Sequence, residues 1–186
     1  MIISFAGNAG AGKSTVALKL AEKLGWPRYY MGGLRRAKAK DLGITLEDYN
    51  KLGESDPKTD LEVDEYQAEL GRNEDNFVIE GRTSWHFIPH SFKIFLDVNE
   101  KIGAERILHD LETNENRNET TKKVETLEEM IEKNHQRKTS DTLRYQKYFN
   151  IDAYNPNNFD LVIDTSYLSP SEVFDKIYQA VLAKIG

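Results

Sequence analysis

The chain contains no cysteine, which excludes disulfides, thiolate zinc sites and thiol catalysis. It also lacks any apolar run approaching the roughly 18 residues of a membrane-spanning helix, so no membrane segment is expected. Its first residues, Met1 to Ala6, have neither the basic start nor the long apolar stretch of a secretory leader. They run straight into a motif, so the chain is expected to be cytoplasmic and complete at this end. Positive charge is scarce too: 25 Lys and Arg stand against 31 Asp and Glu, for a formal charge of −6. Binding to a nucleic-acid backbone needs a basic face, so no such partner is expected. A small anion in a local positive pocket stays open. Hydrophobic residues at 39% leave enough for a real core, and 186 residues fit one domain.

Five short apolar segments read as strands: Ile2 to Ala6, Tyr29 to Met31, Phe77 to Ile79, Phe92 to Leu96 and Leu161 to Ile163. Helical patterns separate them. Val16, Leu20 and Leu24 recur at i, i+4 and i+8, with Gly25 as C-cap and Pro27 beyond. Ile102, Ile107 and Leu111 mark another helix, Val124 to Phe149 reads as one long helix, and Ser169-Pro170-Ser171-Glu172 opens the last. Alternating strands and helices predict an α/β fold: a five-stranded parallel sheet covered by helices on both faces. Two polar stretches are too long for plain crossovers and read as insertions around a ligand site. One spans 32–72, mostly helical, with Asp56-Pro57 as a helix start. The other spans 112–148 and begins with a segment, 112–123, that has no hydrophobic residue and reads as a solvated loop or flap.

Gly7-Asn8-Ala9-Gly10-Ala11-Gly12-Lys13-Ser14 fits G-x-x-x-x-G-K-[ST] at every fixed position, between a strand and a helix. The glycines let backbone N–H groups turn inward around phosphate oxygens, and the helix opening near Lys13 aims its N-terminus at the anion. Lys13 supplies a point charge between the β- and γ-phosphates, the Ser14 hydroxyl is a magnesium ligand, and Thr15 reaches the α-phosphate. A GTPase would need N-K-x-D after a strand. Asn50-Lys51-Leu52-Gly53 ends in Gly inside a helical insertion and reads as chance. No second domain is available for a motor, so a kinase of a small metabolite remains.

Further motifs follow in order: Gly32-Gly33-Leu34-Arg35-Arg36, then Asp60, Asp64 and Gln67 behind Asp56-Pro57, then Glu80-Gly81-Arg82 and Lys93-Ile94-Phe95-Leu96-Asp97. Glu105-Arg106, Arg144-Tyr145 and Tyr148-x-x-Ile151-Asp152 complete the series. With the phosphate loop, they make the chain resemble nucleoside monophosphate kinases, most closely the archaeal-type cytidylate kinases, over nearly its whole length. The resemblance implies a three-layer P-loop kinase fold and a monomer that works on small-molecule nucleotides. It implies ATP-dependent phosphorylation of CMP or dCMP with Mg2+. Another acceptor (AMP, UMP, shikimate or another small metabolite) and a non-catalytic ATP-binding regulator are the alternatives.

The resemblance also implies roles. Gly7 to Thr15 would bind ATP, and Ser14 with Glu80 (through water) would hold magnesium. Arg36, Gly81 and Arg82 would grip the acceptor phosphate, with Arg35 an exposed neighbour. Lys13, Arg106, Arg137 and Arg144 would neutralise the transferring phosphoryl group, with Arg117 inside the flap. Thr83 stands where bacterial relatives often carry Asp. From spacing alone, Asp60, Asp64 and Gln67 at i, i+4 and i+7 share one helix face. That face can read a cytosine edge or simply be solvated. Arg137, Asp141 and Arg144 share another face at i, i+4 and i+7, which the resemblance implies closes over the donor phosphates and which is otherwise a solvated face. The four histidines show no metal spacing, and Trp26, Trp85 and Phe87 read as packing groups, with bordering a base pocket the alternative for Trp85 or Phe87.

Overall fold

The computed structural model describes residues 1–56, 58–113 and 126–186. Its strands are β1 (Ile2–Gly7), β2 (Arg28–Tyr30), β3 (Phe77–Glu80), β4 (Phe92–Asp97) and β5 (Leu161–Asp164). They pair in the order β2-β3-β1-β4-β5, every pair parallel. The helices are α1 (Lys13–Leu24), α2 (Met31–Asp41), α3 (Leu46–Leu52), α4 (Lys58–Asn73), α5 (Ser84–Phe87), α6 (Glu100–Thr113), α7 (Leu127–Phe149) and α8 (Pro170–Ile185).

The sheet is apolar on both faces, as a parallel sheet between two helix layers must be. Ile3 and Phe5 point to one face, where Val78, Ile94 and Leu96 meet Val16 and Leu20 of α1 and Val173, Ile177 and Val181 of α8. Their neighbours in β1 point the other way. Ile2, Phe77 and Ile79 pack on Met31, Val63, Leu70 and Ile88, while Ala6 and Phe95 pack on Trp85, Tyr154 and Phe159. Each such side chain removed from water contributes about 1.5–3 kcal/mol. Trp85, 5.5 Å from the Phe159 ring, is a packing group as expected.

Local signals set the element ends. Gly25 takes a left-handed φ of 68° and its N–H bonds Ala21 O and Glu22 O, closing α1. Thr126 and Ser169 form reciprocal capping boxes with Glu129 and Glu172. The Asp56 carboxylate accepts from Lys58 N at 3.0 Å, while Pro57 lies outside the described residues. The second strand differs from the sequence reading. It ends at Tyr30, and Met31 opens α2 with its side chain buried under the sheet. Of the polar segment 112–123, Glu112 and Thr113 finish α6. The rest, with Arg117 and Val124, lies outside the described residues. The strand order reverses at β1, so the loop after this central strand opens at the switch point where ligands of such sheets bind.

Candidate active site

The loop 7–14 is pinned to its neighbours before any ligand is considered. Asn8 N donates to Leu96 O at 3.0 Å and Asn8 Nδ2 to Asp97 Oδ1 at 2.5 Å. Gly7 and Gly10 sit at φ of 139° and 76°. A Cβ on Gly7 would lie 2.0 Å from Leu96 O, and one on Gly10 would lie 2.1 Å from Gly103 O in α6. Both positions therefore require glycine on conformation and on space. Lys13 Nζ donates to Gly7 O at 2.9 Å and to Asn8 O at 2.6 Å, so the ammonium lies over the loop's own backbone. Thr15 is exposed beside it.

Glu80, at the end of β3, is buried under this loop. Its Oε2 accepts from Ser14 Oγ at 2.7 Å, and its Oε1 accepts from Arg28 Nε at 2.6 Å. One hydroxyl and one carboxylate converging at a phosphate loop fit Mg2+, which takes oxygen ligands and keeps waters and substrate phosphates around it. Arg28 was not singled out by the sequence reading. The signal lay in strand register, because Tyr30 of β2 pairs with Glu80 and Arg28 shares a strand face with Tyr30.

A second cluster gathers guanidinium groups around two carboxyl side chains and a phenol. Arg82, from the turn after β3, donates its Nε to Tyr154 Oη at 2.8 Å and lies 2.7 Å from Asp141 Oδ2. Asp141 Oδ2 also accepts from Tyr154 Oη at 2.9 Å, and its Oδ1 accepts from Arg144 at 2.5 Å. Arg144, 1% exposed, spans from Asp141 to both oxygens of Asp60. Asp60 in turn pairs with Arg35. Arg137 joins electrostatically: Arg82 first, then burial, lowers its pKa to about 10, and its Nε is buried with no hydrogen-bond partner. Burial pushes Asp141 up, but Arg82, Arg144 and Arg137 outweigh it and hold the carboxyl below its ordinary range. Arg82 is the reverse: burial lowers it, and Asp141 with the Tyr154 phenol raises it further. Among the described residues, Arg35, Arg82 and Arg144 are ion-paired with Asp60 or Asp141, and Arg137 lies in the field of Asp141.

Asp64 is the third carboxyl of this region. Its Oδ1 accepts from Gln67 Nε2 at 2.9 Å and from Thr83 Oγ1 at 3.0 Å, and Ser84 Oγ donates to Gln67 Oε1 at 2.5 Å. Its Oδ2 is buried without a partner. Burial, reinforced by Asp60, raises its pKa to about 7. Gly81 fits the turn beneath because a Cβ there would lie 2.4 Å from Ser84 Oγ.

These contacts redistribute the expected roles. Arg35 is 7% exposed and ion-paired with Asp60, not an exposed neighbour. Its partner carboxylate sits one helix away on α4, which spacing along α2 does not reveal. Arg36 is half-buried and donates to Tyr30 Oη at 2.5 Å. Asp60 has both oxygens taken by arginines, so it is not an open acceptor for a base edge. Gln67 has its amide spent on Asp64, Thr83 and Ser84. Two arginines expected on the donor phosphates are committed elsewhere. Arg144 is held between Asp60 and Asp141, and Arg106 grips Thr165 O at 2.8 Å and Ser166 O at 3.2 Å. Thr165 Oγ1 reaches Ala11 O at 3.3 Å, so Arg106 secures the loop after β5 against the phosphate loop. Tyr154, which ties Arg82 to Asp141, was missed. Nothing in its local sequence announces the contact.

A parallel sheet with a phosphate loop after its central strand, and a second cluster rich in arginine, fits a P-loop kinase. The Cytidylate kinase-like family profile matches residues 2–167. The cytidylate kinase of Methanocella arvoryzae is 35% identical over 181 residues, covering 97% of each chain. The chain belongs to the cytidylate kinase-like family. Among solved structures, an uncharacterized protein from Eubacterium ventriosum is similar, with a TM-score of 0.70 and 16% identity over 97% of this chain and 98% of that one. The shikimate kinase of Bacteroides thetaiotaomicron is similar, with a TM-score of 0.60 and 14% identity over 100% and 98%. At such identities these two likenesses concern the fold alone.

Proposed function

We propose that the chain transfers the γ-phosphoryl group of ATP to a nucleoside monophosphate, CMP or dCMP, in the cytoplasm and as a monomer. The observation that carries this reading is the gathering of buried and half-buried guanidinium groups in a chain that also has a phosphate loop. Four arginines gathered around the two side chains of Asp60 and Asp141 favour a bound dianion, and Arg137 has an N–H without a partner among the described residues. An ATP-binding switch needs no second anion pocket of this kind. The named relatives point the same way.

Gly7 to Thr15 hold the donor phosphates, and Lys13 balances charge between the β- and γ-groups. Mg2+, held by Ser14 and through water by Glu80, supplies further charge neutralisation when bound. Arg36, Arg82 and Arg137 hold the acceptor phosphate at Gly81. Arg106 and Arg144 act on these groups by positioning the loop after β5 and the helix α7. No side-chain nucleophile is needed, because the acceptor phosphate attacks in line and catalysis is alignment and electrostatics. Segment 32–72 serves as the acceptor-side insertion, and 112–148 as the lid region.

Base choice rests on Asp64. Its Oδ2 is the acceptor left without a partner, and the amino group of cytosine can supply one. Gln67 and Thr83 fix the carboxyl and leave that oxygen free. Uracil would set a carbonyl against the ionised carboxylate, at a cost of about 1–3 kcal/mol, so the preference for cytosine should sharpen as pH rises through about 7. An ADP-release assay across nucleoside monophosphates and shikimate tests the reading. CMP or dCMP should exceed UMP by about 10- to 100-fold in kcat/KM, and Asp64→Asn should narrow the gap. A better turnover of AMP or shikimate would reject the acceptor, and ADP release with no acceptor dependence would reject the kinase.

A further inference from the structure

Tyr30 stands at the junction of the two anion-handling clusters. It is the last residue of β2 and the N-cap position of α2, directly in register with Glu80. Two guanidinium groups lie over its ring: Arg28 at 5.2 Å and Arg36 at 5.4 Å from the centroid. Its hydroxyl accepts from Arg36 at 2.5 Å. Arg28 is the residue that engages Oε1 of Glu80. The ring is itself confined. A Cβ on Gly32 would lie 2.7 Å from its Cε2, and one on Gly33 would lie 2.9 Å from its Cδ1. The glycine pair therefore seats the ring against the first turn of α2.

We propose that Tyr30 is a positioning residue shared by the two sides of the site. Its hydroxyl and ring fix Arg36, which the kinase reading assigns to the acceptor phosphate. The same ring steadies Arg28 against Glu80, the acid assigned to magnesium. The inference rests on that reading for the two ligands and on the geometry for the coupling. A long arginine side chain loses much rotamer freedom when it grips a ligand. An arginine already bonded and stacked has met that cost before the ligand arrives, so binding is tighter.

The two halves of the tyrosine separate in experiment. Tyr30→Phe removes the hydroxyl and keeps the ring. It should weaken CMP binding, read by calorimetry without ATP, by about tenfold, the size of one lost hydrogen bond to a charged group. KM for CMP should rise far more than kcat falls, and the affinity for a nonhydrolysable ATP analogue should hold. In an Arg36→Ala background the same substitution should cost less than about twofold, since its route of action is gone. Tyr30→Leu removes the ring as well. It should also raise the Mg2+ concentration at half-maximal binding of the ATP analogue by several fold, as should Arg28→Ala alone.

Wild-type CMP affinity in Tyr30→Phe overturns the inference. So does a penalty that persists in the Arg36→Ala background, or a Tyr30→Leu protein that binds Mg2+ with the analogue normally. A chain that binds CMP but releases no ADP from it fells the kinase reading and leaves the coupling test intact. If another monophosphate binds instead, the same cycle is read on that ligand. If no monophosphate binds, both readings fall.

Discussion

Lys13 shows how much one side chain can be asked to do at the residue scale. Its ammonium already lies against the carbonyls of Gly7 and Asn8, so its position is set by the loop it serves. Lys13→Ala should lower kcat by about 100- to 1000-fold, as when one preorganised charge-stabilising group is lost. Thermal unfolding should change little, because the side chain is not in the core, and turnover with a melting curve checks both. Asp64 gives a second test. Burial raises its pKa from 3.8 to about 7 in the folded chain, so between those two values the native state holds a proton that the unfolded state releases. Stability tied to this group is therefore present at low pH and lost as pH rises toward and through about 7. Every tenfold difference in proton affinity between the two states is worth about 1.4 kcal/mol. Urea unfolding between pH 5 and 8 should show a downward slope that Asp64→Asn reduces. An unchanged slope would mean that another group governs it.

At the scale of elements, α7 shows a helix docked by charge. Its buried residues are Met130, Asp141, Arg144 and Tyr145, so only part of the buried face is apolar. Arg144 ties it to Asp60 on α4, and Lys147 and Tyr148 add bonds to the carbonyls of Gly53 and Glu54. Ions buried this deeply must be paired, and removing one partner strands the other. Arg144→Ala should destabilise the fold by about 3–5 kcal/mol and weaken acceptor binding together with it. Arg144→Met should recover part of the stability by refilling the space. Denaturant titration with CMP calorimetry on both variants measures the two effects, and loss of catalysis at full stability would return Arg144 to direct phosphate contact.

At the scale of the whole molecule, an acidic chain of charge −6 gathers four of its arginines, Arg35, Arg82, Arg137 and Arg144, into one cluster. Among the described residues, no helix is long and apolar enough to cross a membrane. The sequence by itself determined what depends on neighbours along the chain. Apolar runs set the five strands, though β2 is one residue out of place. Gly25 and Ser169 act within a few residues of themselves, and the phosphate-loop motif is recognisable from eight consecutive residues although its glycines are also held against Leu96 and Gly103. The alternation of strands and helices then left a parallel sheet as the way to bury every run. Only the tertiary structure decided which charges meet. Arg35 and Arg36 are adjacent and alike in sequence, yet one is buried on Asp60 and the other rests on Tyr30. Asp60, Asp64 and Gln67 share a helix face, but arginines from α2 and α7 take the first, and Thr83 and Ser84 fix the other two. The physical reason is that a buried charge takes its meaning from its partner, and these partners stand up to 84 residues apart in the chain.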